Sequence, residues 1–259
     1  MNAGQRFVVG TSGYSFADWV GAFYPAGTQR GGMFAYYQQV FSAVELNFTF
    51  YRVPTAGTIG RLAEACGEGF RFWVKASRKI THERDTSVLR PFLAALEPMS
   101  AAGKLGGLLL QFPQSFHRTV DNRNYLGSIL AQLESIPAAV EFRHYSWEHP
   151  ATLDGLRERS VALVIPDVPD IRSLYHSQPV LTSAIGYLRL HSRDAGKWYG
   201  EGGTDRYDYR YSERELSDLA AEWVPLAEQS EKVYAFFNNC HRGQAAENAE
   251  AFRRILEKL

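Results

Sequence analysis

Glu45, Lys75, Gln111, Glu141, Arg143, Asp167, Arg189, His191 and Asn238 each stand at or near the carboxyl end of a short apolar run. Their types are those of proton transfer and anion recognition: arginine's planar fork suits carboxylate or phosphate, lysine adds a point charge, and a carboxylate or imidazole moves protons when burial or pairing brings its pKa near the working pH. Glu141 with Arg143, and Arg189 with His191, are two residues apart, which on an extended strand puts each pair on one face. Glu45, Glu141, Asp167 and His191 are therefore the candidate catalytic groups. Tyr14, Asn47, Tyr51, Lys75, Gln111, Arg143, Trp147, Arg189 and Asn238 are the candidate substrate-binding groups. A structural ion pair is the competing explanation for any one of the charged residues, and the case for a site rests on their joint concentration. No cofactor is required, although Glu45, Glu141, Asp167 and His191 also make an adequate ligand set for a divalent metal. Arg143 and Arg189 would compete with such an ion for the carboxylates.

These residues are positioned by eight apolar runs rich in β-branched and aromatic residues: FVVGTS (7–12), AVELNFTF (43–50), FRFWVKAS (70–77), LGGLLLQF (105–112), AAVEFRH (138–144), ALVIPD (162–167), IGYLRLHS (185–192) and KVYAFFNN (232–239). Helical patterns fill most of the gaps, at 33–41, 59–66, 87–99, 125–136, 151–160, 213–229 and 245–259. Ser212 with Glu215 reads as a capping box and Pro150 as a helix start. Strand and helix alternating eight times predict one (β/α)8 TIM-barrel domain over residues 1–259. The stretch 168–184, with Pro169 and Pro179, is weakly periodic and predicts a short or distorted sixth helix. In this fold the active site lies at the carboxyl ends of the strands, where the polar residues concentrate. Within 43–51, the odd-numbered Glu45, Asn47, Thr49 and Tyr51 read as one face of an extended strand, and the poor satisfaction of a buried carboxylate and amide among helices turns Glu45 and Asn47 toward the lumen.

Composition narrows the function classes. Lys plus Arg and Asp plus Glu number 28 each, so no global field draws nucleic acid or an anionic membrane. Single-stranded nucleic acid held by Lys75, Arg143 and Arg189 with stacking aromatics stays open as a disfavoured alternative. Cys66 and Cys240 fit neither a zinc cluster nor a disulfide framework, and a reducing cytoplasm suits them. Neither a secretory leader nor a run of about 18 apolar residues is present, which argues against membrane spanning. The favoured partner is a small, polar, anionic metabolite; oligomeric state is not legible.

Tyr14, Trp19, Tyr51, Trp147, Trp198 and Tyr199 lie just beyond strands, where rings either wall a polar-ligand pocket or pack loops. His82 and His144 rank below His191 as acid or base, and Cys240 below both. The Gly-rich, aromatic segment between Asp194 and Glu215 suits a lid after strand seven, with Gly200, Gly202 and Gly203 as hinges, or a plain surface excursion.

The stretches GTSGYSFADWVGAFYP, VELNFTFYRVP, FRFWVKASRKITH, LLLQFPQSF, VEFRHYSW, YLRLHSR and FFNN followed by GQAAENA, with Asp-Val-Pro at Asp167, together resemble the YecE-like family. That family is a barrel family described as a domain of unknown function and distantly related in architecture to sugar isomerases. The resemblance covers nearly the whole chain and implies the barrel and the strand-end site residues, without a reaction. Phe48, Gln114 and Ser192 depart from the family's Ser, Pro and Gly, beside polar positions where pocket shape is at stake.

Overall fold

Eight strands close into an all-parallel barrel in sequence order: β1 (Phe7–Ser12), β2 (Ala43–Leu46), β3 (Arg71–Lys75), β4 (Leu105–Gln111), β5 (Ala138–Glu141), β6 (Ala162–Asp167), β7 (Ile185–Leu190) and β8 (Lys232–Phe237). The computed structural model describes residues 3–133, 135–200 and 205–259. Seven helices of eight or more residues cover the barrel among these residues, at Arg30–Val40, Ala56–Glu64, Leu89–Ala101, Val120–Leu130, Pro150–Arg157, Glu213–Ala227 and Gln244–Leu256. None is long and apolar enough to cross a membrane. Pro150 occupies the first turn of its helix, and the Ser212–Glu215 capping box forms as expected.

Between β6 and β7 there is no helix. The segment 168–184 crosses as turns, pinned by a bridge between His144 and Leu174 and by Thr182, whose hydroxyl accepts from Leu163 N at 2.7 Å. Its prolines remove donors that a helix needs, and these contacts replace the missing ladder.

Strand alternation sorts the side chains into two cores. Outward residues such as Val44, Val74, Leu110, Val140, Leu188 and Phe237 pack against the helices. Inward residues Ala43, Trp73, Leu109, Ala139, Ala162, Val164, Tyr187, Tyr234 and Phe236 fill the lumen. Trp73 dominates the lumen, with its ring against Tyr187 at 4.7 Å and Tyr234 at 5.3 Å between centroids. The neighbouring β4 makes room by carrying glycine and shifting register there: a Cβ on Gly107 would fall 2.6 Å from the Trp73 ring and 2.5 Å from the Pro137 carbonyl oxygen. Gly107→Ala is expected to lower the urea-unfolding free energy by about 1–3 kcal/mol, the usual cost of overpacking a core; an unchanged midpoint would show that the strand yields freely.

Two residues further along six of the strands, the same inward face turns polar. Ala43 is followed by Glu45, Trp73 by Lys75, Leu109 by Gln111, Ala139 by Glu141, Tyr187 by Arg189 and Phe236 by Asn238. The apolar lumen thus acts as a floor under a polar layer at the mouth.

Candidate active site

Arg189 is the centre of the polar layer. Although only 1% exposed, its guanidinium donates from Nε to Glu45 Oε2 at 2.9 Å, from Nη2 to Glu45 Oε1 at 2.6 Å and from Nη1 to Glu141 Oε2 at 2.6 Å. The Tyr187 hydroxyl, one layer below, adds a 2.9 Å bond to Glu45 Oε2. Arg143 Nε stands 2.5 Å from Glu141 Oε1, an ion contact rather than an aligned hydrogen bond. The four charges alternate across the mouth as Glu45, Arg189, Glu141 and Arg143, and the string is electroneutral. Burial pushes both carboxyls up, but the Arg189 charge and hydrogen bonds outweigh it at Glu45, and the Arg143 and Arg189 charges outweigh it at Glu141. Glu45 stays below the usual carboxylate range and Glu141 well below it. Both are held ionised, as fixed anions rather than proton donors.

His191 joins the string from β7. Its Nε2 lies 3.2 Å from Arg143 Nη2 and 3.6 Å from Glu141 Oε1, and its Nδ1 lies 2.9 Å from Asn238 Nδ2. Burial, followed by the Arg143 charge, drives its pKa down to about 3, so the ring is neutral at physiological pH. A neutral imidazole offers one donor and one acceptor, and the amide of Asn238 can turn over to match either tautomer. The buried Trp198 closes over this corner, with the Arg143 guanidinium 5.7 Å above its ring and the His191 ring edge-on at 6.1 Å.

Lys75 is the surplus charge. Its Nζ sits 4.2 Å from the centre of the Phe50 ring and, among the described residues, makes no hydrogen bond or ion pair. Arg189 has already taken both nearby carboxylates. Burial and then the Arg189 charge lower the Lys75 pKa to about 7, with Glu141 and Glu45 opposing. One helical turn, Phe48–Tyr51, holds this arrangement: the Thr49 hydroxyl donates to the Lys75 carbonyl at 2.6 Å, which fixes Phe50 over the amine. The His82 ring packs on Phe50 at 5.0 Å, and burial with the Lys75 charge depresses its pKa to about 4.

A cavity of about 380 Å³ opens above Lys75 and Arg189, walled by Ser12, Tyr14, Asn47, Phe50 and Asn238, with Tyr51 and Arg30 at its rim. Asn47 Oδ1 is buried with no aligned hydrogen-bond partner among the described residues, so the wall carries polar capacity that a ligand can use. A second hollow of about 460 Å³, lined by Phe7, Phe41, Ser42 and Arg253, lies at the opposite end of the barrel, away from the charged layer.

Several expected residues go elsewhere. Asp167 belongs to the outward face of β6, because Val164 and Pro166 take the inward register. It is gripped by Arg193, whose Nε lies 3.1 and 3.0 Å from the two carboxylate oxygens, and by the Tyr211 hydroxyl at 2.6 Å. The four residues of the metal alternative consequently do not converge, and among the described residues no group of three His, Cys, Asp or Glu side chains could hold a metal ion. Trp147 is core: it stacks between Phe142 at 4.2 Å and Phe116 at 5.5 Å, and its indole donates to the Phe116 carbonyl. Trp19 is likewise buried, donating to the Cys240 carbonyl at 2.7 Å. Gln111 points inward, but its amide turns to the Phe112 carbonyl at 2.8 Å. Thr49 and Tyr51 are not strand residues, because β2 ends at Leu46 and Asn47 takes right-handed helical angles. His144 bonds Ser146 and stacks on His117 at 3.9 Å. In the supposed lid, Ala195–Trp198 forms a short helix capped by Asp194, and Tyr199 reaches Gln114 at 3.2 Å; Gly202 and Gly203 lie outside the described residues.

Phe50, Arg30, Tyr187 and Tyr207 complete the site without having been read from the sequence. Tyr187 was findable, since it precedes Arg189 by two on the same strand face. Arg30, at the start of a helix, carries no local signal.

The architecture and the polar mouth define a (β/α)8 barrel of the kind that places chemistry at the carboxyl ends of its strands. The chain belongs to the family described as protein of unknown function DUF72, whose model matches residues 8–259. It is 37% identical to the DUF72 family protein TM1631 of Thermotoga maritima, whose crystal structure superposes with a TM-score of 0.89 over 97% of this chain and 99% of that one. A DUF72 family protein of Enterococcus faecalis, EF0366, is 25% identical with a TM-score of 0.86, covering 97% of this chain and 95% of that one. The UPF0759 protein YunF of Bacillus subtilis is 29% identical over 270 residues, 96% of this chain and 94% of that protein.

Proposed function

We propose that this protein is an enzyme that takes a small polar substrate bearing an anionic group, such as a sugar phosphate, into the cavity at the barrel mouth and transfers protons there. The observation that carries the reading is the surplus cation: Lys75 stands in the wall of the cavity while the carboxylates around it are already matched by arginines. Arg30 at the rim adds a second positive group on the same cavity. An anion entering this space meets an ammonium that needs no other partner to be displaced.

The roles follow from the pairing. Glu45 and Glu141 fix Arg189 and set the field of the mouth; His191, neutral and tied to Asn238, orients without carrying charge. Lys75, with a pKa near 7, is the group whose proton is exchangeable at physiological pH. The two unpaired cysteines agree with a reducing cytoplasm.

Thermal-shift titration with inorganic phosphate and a panel of sugar phosphates tests the reading. Binding is expected near pH 6.5 and is expected to weaken about tenfold per pH unit above 7, as the ammonium is lost. No stabilisation by any phosphate at pH 6.5, or stabilisation that Lys75→Met leaves intact, removes the anion site.

A further inference from the structure

We propose that Lys75 is a covalent catalyst: its amine captures the carbonyl carbon of an aldehyde or ketone substrate as an imine, with the substrate's anionic end held toward Arg30. This rests on the reading of the mouth as a site for small anionic metabolites and adds the functional group on which the chemistry is done.

Three features of the structure support it. Lys75 lines the cavity and, among the described residues, its Nζ is bound by no carboxylate or carbonyl, so it is presented to an incoming molecule rather than consumed by the protein. Arg189 enforces this freedom, because by binding Glu45 and Glu141 together it withholds from Lys75 the two carboxylates that would otherwise pair with it. The face of Phe50 and the carbonyl tether from Thr49 fix where the amine stands, and a flat apolar wall beside it suits a planar imine. A lysine kept near arginines in a desolvated wall is the arrangement that yields the free amine needed for attack.

The step is balanced within the pair. The Nζ lone pair forms a bond to the carbonyl carbon while the carbonyl π pair moves to oxygen, which takes up a proton from the ammonium that the attack creates. The carbinolamine nitrogen then forms the second bond to carbon with its lone pair as the C–O bond breaks, and the remaining N–H proton goes to the departing hydroxyl, which leaves as water. Nothing is oxidised or reduced. Asn47 Oδ1, buried in the cavity wall without an aligned partner, is placed to accept from a substrate or carbinolamine hydroxyl. The imine acts as the electron sink for removal of the neighbouring proton or for cleavage of the adjacent carbon–carbon bond.

The test is trapping. The full chain is incubated at pH 7 with glyceraldehyde 3-phosphate and sodium cyanoborohydride, which reduces any imine to a stable amine, and the adduct is mapped by peptide mass spectrometry. The chain has only six lysines, Lys75, Lys79, Lys104, Lys197, Lys232 and Lys258, so each is its neighbour's control. Labelling at Lys75 at least tenfold above any other lysine, suppressed by inorganic phosphate, is expected. Labelling of Lys75 no faster than of Lys79 overturns the proposal. Lys75→Arg separates the two readings: it keeps the charge and should still be stabilised by phosphate while losing the dominant adduct. Phosphate stabilisation of the wild type without preferential labelling sinks the imine and leaves the anion site standing, whereas the absence of both sinks the two together.

Discussion

Replacing Arg189 with Met is expected to destabilise the protein by about 3–5 kcal/mol, because removing one member of a buried ion network strands the charges that remain. For a chain of this length that corresponds to a fall in Tm of roughly 10 °C. The cost does not measure how much the network stabilises the fold. Replacing all its members by well-packed apolar residues could leave stability unchanged, since desolvating four charges offsets most of their attraction. What the single variant measures is the strain of leaving Glu45 buried against Tyr187 with its bidentate partner gone.

The pH dependence of that variant separates this mechanism from simple loss of packing. In the wild type both carboxyls have folded-state pKa values below 4.5, so their contribution is present above that value and is lost as pH falls through the folded pKa values. In Arg189→Met the Glu45 pKa should rise above its unfolded value, because burial is no longer outweighed. The folded state then binds more protons than the unfolded chain, and lowering the pH from 7 toward 5 should recover stability. Across that range the wild-type carboxyls are ionised both folded and unfolded and add no slope, so urea midpoints of the variant should rise, relative to those of the wild type, as the pH falls. A variant that loses less than about 1 kcal/mol, or that keeps the wild-type slope, would mean that Arg189 is not the keystone of the layer.

The barrel was legible because its signal is repeated and local. Each strand is an apolar run of the right length, and ALVIPD and FVVGTS match β6 and β1 to the residue. The charged string was legible as a set of strand-end positions, since period-two alternation ties Glu45, Lys75, Glu141 and Arg189 to the inward face. The errors share a cause: alternation holds only while the strand lasts. AVELNFTF contains no proline or glycine to mark a stop, yet the chain turns helical at Asn47, which carries Thr49 and Phe50 to Lys75 and leaves Tyr51 78% exposed at the rim. Asp167 ends a real strand but by parity faces outward, a fact readable from Val164 and Pro166 being its even-numbered inward neighbours. Trp147 lay a few residues beyond a strand, where ring type alone cannot distinguish a pocket wall from core packing. Which carboxylate pairs with which arginine was beyond reach, because Glu45 and Arg189 are 144 residues apart and only barrel closure brings them together.

That pairing has a consequence for Lys75 that no local pattern contains. Lys75→Met is expected to stabilise the protein at pH 7 and below, by about 5 °C in Tm, while abolishing phosphate binding and aldehyde capture. Met fills similar volume and retains contact with Phe50, but it carries no charge to desolvate beside Arg189. The sign follows from the proton count. In the wild type the folded pKa is about 7 against 10.5 for an ordinary lysine, so between these values the unfolded chain holds a proton that the folded protein has released. Wild-type stability should accordingly rise with pH across that window, with the full penalty present below pH 7; the variant should lack this component of the slope. Thermal denaturation at pH 6, 7, 8 and 9, with wild type and variant side by side, reads both the offset and the slope. A lower Tm at pH 7 with an unchanged slope would make Lys75 an ordinary structural lysine, supported by contacts that the fold requires. A higher Tm with lost ligand binding would mark a position where charge is retained against stability, as expected of a residue kept for chemistry.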